Sequence, residues 1–146
     1  MKRTVTLLTM AALAAISLYG GGFWLQLGNP EASAEARAAK AVVTILATGC
    51  HQPEKAEITG LAISTAGGKR QSIPLRITRL SRPGMFAVSQ QWPAEGTWVL
   101  QFTGRNAGMT TGVILTAGPE GVDRAGAKFV KGEPTREDVE ILLAKK

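Results

Sequence analysis

One cysteine, one histidine and one tyrosine are all that this chain of 146 residues contains of those types, and aromatic residues make up only 5% of it. A single cysteine excludes an intramolecular disulfide, so stability has to come from packing. A single histidine excludes a blue-copper centre, which takes two. Cys50 and His51 stand side by side in the stretch GCHQPEK. A zinc site wants three or four protein ligands, so the others would have to be carboxylates such as Glu54 or Glu57. A serine triad has only His51 to recruit, and no nucleophile-elbow sequence accompanies it. The remaining acidic pairs lie in the C-terminal segment, where helix capping and the helix dipole explain them. The composition therefore predicts a protein that is not an enzyme and that carries no cofactor. Acidic residues are also missing from the whole stretch Ile58 to Ala94, which holds Lys69, Arg70, Arg76, Arg79 and Arg82.

What is present first is the layout of an export segment. Lys2 and Arg3 are followed by no charged side chain until Glu31, and the uncharged part, Thr4 to Leu27, exceeds the ~7–15 residues of a signal core and approaches the ~20 that span a bilayer. Two readings follow. Either residues 1–34 are a signal peptide, cut between Ala34 and Glu35 after the small-residue pattern Ala32-Ser33-Ala34, or the segment stays as a membrane anchor. In both, positive charge remains inside and the following domain goes out, to the periplasm or the extracellular side. A lipid on Cys50 is not expected, because Arg37, Lys40 and a polar spacer separate it from the apolar core.

The rest reads as one domain. Subtracting Lys2, Arg3 and Glu31 from the 17 basic and 11 acidic side chains leaves a surplus of about five positive charges. Residues 35–40 are alanine-rich and charged, as in a tether. Residues 41–132 then alternate strand-length apolar runs with Gly- and Pro-containing turns. AVVTIL, AEITGLAIST with a bulge at Gly60, RQSIPLRIT as an edge strand because of Pro74, MFAVSQQW, TWVLQFTG and TTGVILTAG are the predicted strands, with a short one at Lys128 to Lys131. Trp92 and Trp98 follow the apolar phase and are read as core. In residues 133–146, Thr135 and Asp138 form a capping box before an apolar stripe of Val139, Leu142 and Leu143, which predicts a short helix docked on the domain. The fold class is thus mainly β, an antiparallel β-sandwich of about seven strands with a C-terminal helix.

The hairpin RPGMFAVSQQWPAEGTWVLQFTG resembles the closing hairpin of exported Ig-like domains. It has a Pro-Gly turn, an aromatic strand, a second turn ending in Gly, then Thr-Trp and an alternating strand. Across Ala56 to Gly104 the chain resembles the YtkA-like group, which implies an Ig-like sandwich outside the membrane and a role in copper handling or in assembly of envelope complexes.

Two candidate sites result. Arg70 and Arg76 lie in phase on the polar face of the edge strand, Arg79 and Arg82 flank the next turn, and Lys69 precedes them. This basic strip is either protection of a sheet edge or a site for an anionic envelope surface or an acidic protein face. Nucleic acid is not expected as a partner. Cys50 and His51 are either incidental or, with Met85 or Met109, the ligands of a soft Cu(I) site. The function expected is a non-catalytic exported module that binds or supports another envelope component. The alternatives are a copper-handling accessory protein and an envelope hydrolase.

Overall fold

The computed structural model describes residues 22–145. Among these, ten strands form two antiparallel sheets. The first sheet has the order β1 (Trp24–Gly28), β2 (Ala41–Thr48), β6 (Met85–Ser89), β5 (Ile77–Arg79). The second has the order β10 (Lys128–Lys131), β8 (Met109–Gly118), β7 (Trp98–Asn106), β3 (Glu57–Ser64), β4 (Gln71–Leu75), with β9 (Gly121–Val122) paired to β8.

The sheets face one another across a core to which both contribute alternate residues. Leu25, Val43, Ile45, Phe86 and Val88 come from the first, and Ala62, Leu100, Phe102, Val113 and Leu115 from the second. Trp92 and Trp98, expected as core, are only 7% and 3% exposed. The Trp98 indole N–H donates to the Glu95 carbonyl at 3.2 Å, so its one polar atom is satisfied where it is buried. Ile73, Leu75 and Ile77 all turn toward this core, as their alternation predicts.

Two helices cover the outer faces. Helix α2 (Arg136–Ala144) begins with the capping box read from the sequence, Thr135 and Asp138 bonding each other's backbone N–H. Its Val139 and Leu142 bury Ile63, Val99 and Ile114 on the outer face of the second sheet. Those apolar residues stand on the side opposite the sandwich core, and α2 is the reason they can. Lys128 on β10 pairs with Asp138 at 2.8 Å, and Arg70 pairs with Glu140. Together with the cap, Lys128 holds the Asp138 carboxyl down to about 2 from its ordinary 3.8.

The N-terminal part departs from the sequence expectation. Phe23 and Leu25 are core residues, and β1 pairs with β2 along its whole length, from Trp24 opposite Thr48 to Gly28 opposite Thr44. Ser33, Ala34 and Glu35, expected to flank a cleavage, form the start of helix α1 (Ala34–Ala38), with the Ser33 hydroxyl accepting from the Ala36 N–H. The expected tether 35–40 is therefore structured. Ala36 is buried against Leu80 and Ala87, and the Glu35 carboxylate accepts from the backbone N–H and hydroxyl of Ser81. Among the described residues the folded domain already includes Phe23, ahead of the boundary expected at Ala34. Residues 1–21, on which the leader reading falls, lie outside the described residues.

Two smaller expectations are also corrected. Gly60 makes no bulge: its register with Phe102 and Leu75 is regular. A side chain there would put Cβ 2.8 Å from the Phe102 ring, so the glycine makes room for a core aromatic. The bulge lies instead in β2, between Ala41 and Val43. Residues 70–78 are two strands, since the chain crosses from the second sheet to the first at Arg76. The Gln91 amide satisfies both backbone groups of Arg76, at 2.8 Å each. Both pieces are edge strands, as Pro74 requires.

Candidate functional site: the N-terminal end and the open face of the first sheet

The basic residues do not form one strip. Arg70 is drawn to Glu140 of α2 at the edge of the second sheet. Arg76 sits at the crossing between sheets. Arg79 is structural: its guanidinium donates to the carbonyls of Glu54 and Ala56 at 2.8 and 2.6 Å and lies 5.0 Å above the Phe86 ring, tying the loop after β2 to the rim of the core. Lys69 is exposed beside the turn Ala66–Gly68. Arg82 lines a concavity that the other four do not reach.

That concavity, of about 310 Å³, lies on the outer face of the first sheet and is lined by Gln26, Leu27, Gly28, Asn29, Ala32, Thr44, Leu46, Arg82 and Met85. Its floor follows from the register, for Gln26 stands opposite Leu46, and Leu46 opposite Met85. Helix α1 is short: the cluster it makes with Leu80 and Ala87 takes in one side of Met85 but not Leu46, and both remain half-buried. The row ends at Trp24, which is 49% exposed.

Cys50 and His51 lie in the loop that follows β2. Cys50 is half-buried against the core and His51 is exposed. A second concavity of about 300 Å³ brings Cys50 and His51 together with Gln52, Asn106, Ala107 and Met109. Asn106 holds the loop in place by donating from Nδ2 to the Gln52 carbonyl at 3.0 Å. Met109 is thus the methionine that accompanies this pair, while Met85 lies on the other concavity. Among the described residues no group of three or more His, Cys, Asp and Glu is placed to hold a metal, so a site here would rest on sulfur.

The residue pattern does not announce the turn at this end. The β7–β8 turn has Ala107 and Gly108 both at positive φ, 48° and 77°, the conformation of a two-residue type I′ hairpin. Alanine in the left-handed region costs about 1–2 kcal/mol. The tip formed by Ala107, Gly108 and Met109 is uncharged, exposed and next to the Cys50 loop. Comparison with family models, curated proteins and solved structures finds no match. Among the described residues no helix is long and apolar enough to cross a membrane.

Proposed function

We propose that this chain is an exported, non-catalytic Ig-like module that binds or supports another envelope component. The strand order supports the Ig-like part. β1-β2-β6-β5 corresponds to A-B-E-D, and β8-β7-β3-β4 to G-F-C with an added C′ strand, with β10 beyond G. The observation that carries the binding part is the uncovered half of the first sheet's outer face. There Leu46 and Met85 line an open groove with one cation, Arg82, while the corresponding apolar row of the second sheet is sealed by α2.

The test is copurification from intact envelopes, repeated with Leu46→Lys and with Lys69→Glu. Loss of one stoichiometric partner in the first variant and its retention in the second is expected. Equal recovery from both would remove the groove from the function.

A second reading, a copper-handling accessory, is favoured by the shared concavity of Cys50, His51 and Met109. Thiolate, imidazole and thioether together suit Cu(I), which accepts low coordination. A competition titration with a Cu(I) chelator under reducing conditions decides it: binding that is tight, one-to-one and lost in Cys50→Ser supports this reading, and weak or unchanged binding removes it. The hydrolase reading gains nothing from the geometry, since the concavity at His51 is lined by neither a carboxylate nor a hydroxyl.

A further inference from the structure

We infer that the N-terminal end of the sandwich lies directly on a phospholipid bilayer, with Trp24 and the Ala107–Met109 hairpin tip in the headgroup zone. The inference rests on the anchored form of the export reading. Thr4 to Gly21 carry no charge, and at ~1.5 Å per residue a helix of that length reaches roughly 27 Å, close to the ~30 Å hydrocarbon thickness. Lys2 and Arg3 precede the stretch. On its other side the chain is tied at once, for Phe23 is already in the core, so Gly21 and Trp24 are three residue steps apart, about 10 Å of extended chain. A domain joined so closely must turn its N-terminal end to the membrane.

The surface at that end suits the contact. Trp24 is 49% exposed and Met109 38%, two of the four large apolar side chains that stand out among the described residues. Tryptophan is the side chain that settles at a membrane interface, apolar body inward and N–H toward water. The Gly49–Gln52 loop joins the two, because a Cβ on Gly49 would fall 2.7 Å from the Trp24 ring, while Cys50 and His51 share a concavity with Met109. Of the rim charges, Arg105 pairs with Glu133 at 3.1 Å and Lys55 shares a concavity with Glu57, while Arg82 and Lys131 add positive charge nearby. The side chains that stand out most at this end are apolar, so the contact is expected to form on zwitterionic lipid as well.

The full chain reconstituted into phosphatidylcholine vesicles, with and without brominated acyl chains, tests this through two independent readouts. Flotation reports the anchor, and quenching of tryptophan emission reports the contact. Trp92 and Trp98 are buried, so the quenched emission should belong to Trp24 and disappear in Trp24→Phe. The deciding variant is Trp24→Phe with Met109→Trp, since position 109 is far along the chain from the anchor and reaches lipid only if the domain docks end-on. Quenching should return in that variant and persist in high salt. Chains that float but show no quenching at position 109 would overturn the docking and leave the anchor standing. Chains that do not float would overturn both.

Discussion

The two outer faces of the sandwich carry similar apolar rows and are finished differently. On the second sheet, α2 is nine residues long and presses Val139 and Leu142 onto Ile63, Val99 and Ile114, all of them buried. On the first sheet, α1 is five residues long and alanine-rich. It covers Ala87 and one side of Met85 and stops, leaving Leu46, Trp24 and the rest of Met85 in contact with water. A closed face stabilises; an open one is available. The same fold thus closes one sheet over and leaves part of the other open, which is where the proposed partner would sit.

The strongest way to break this contrast is to remove the seal. Burial of Ile63, Val99 and Ile114 is worth about 1.5–3 kcal/mol each, so a chain ending before Glu133 should lose several kcal/mol, an amount comparable with the whole stability of a domain. It should aggregate, which light scattering and denaturant titration will read. Next comes the strand that opens the first sheet. Leu25→Ala should cost about 2–5 kcal/mol in chemical denaturation, because Leu25 is 1% exposed in the core. A chain cut before Glu35 should fail to fold for the same reason, and an unchanged midpoint in Leu25→Ala would detach β1 from the domain.

A smaller change sharpens the comparison on the α1 side. Glu35→Gln weakens the bonds to Ser81 and should cost about 1 kcal/mol in the same titration, while raising the exposure of the groove to partner or probe. The smallest effect concerns Asp138. Its carboxyl is depressed to about 2, by Lys128 first and then by Thr135, so its contribution is complete above the unfolded value near 3.8 and is lost as pH falls through about 2. The difference in melting temperature between the native chain and Asp138→Asn should therefore shrink to nothing across that window.

These two sides also differ in how much of them could be read in advance. Helix α2 announces itself locally, because Thr135, Asp138 and the Val139, Leu142 stripe are all within one short segment. Trp98, Leu100 and Phe102 likewise reveal the core face by simple alternation. β1 gives no such signal. Phe23 to Leu27 continue an uncharged run that begins at Thr4, so strand and leader read as one segment, and only the pairing with Thr44 to Thr48 separates them. The break at Arg76 was hidden for a related reason, since alternation runs unbroken from Ile73 to Ile77 while the partner strand changes from β3 to β6. Of the candidate site, the Cys50, His51 and Met109 grouping was conceivable from chemistry, but Arg70 and Arg79 were already committed to Glu140 and to backbone carbonyls that lie far away in sequence.

The placement of β1 has a mechanical meaning. Lys145 lies near Thr97 and the Ala66–Gly68 turn, at the end of the sandwich opposite the one where Trp24 begins its strand. Tension applied between a membrane and a partner held farther out would run along β1, parallel to the strand. All five of its residue pairs with β2 would then be loaded together in shear, and none could peel away first. A domain hung by this strand would resist pulling along its long axis far better than pulling across it.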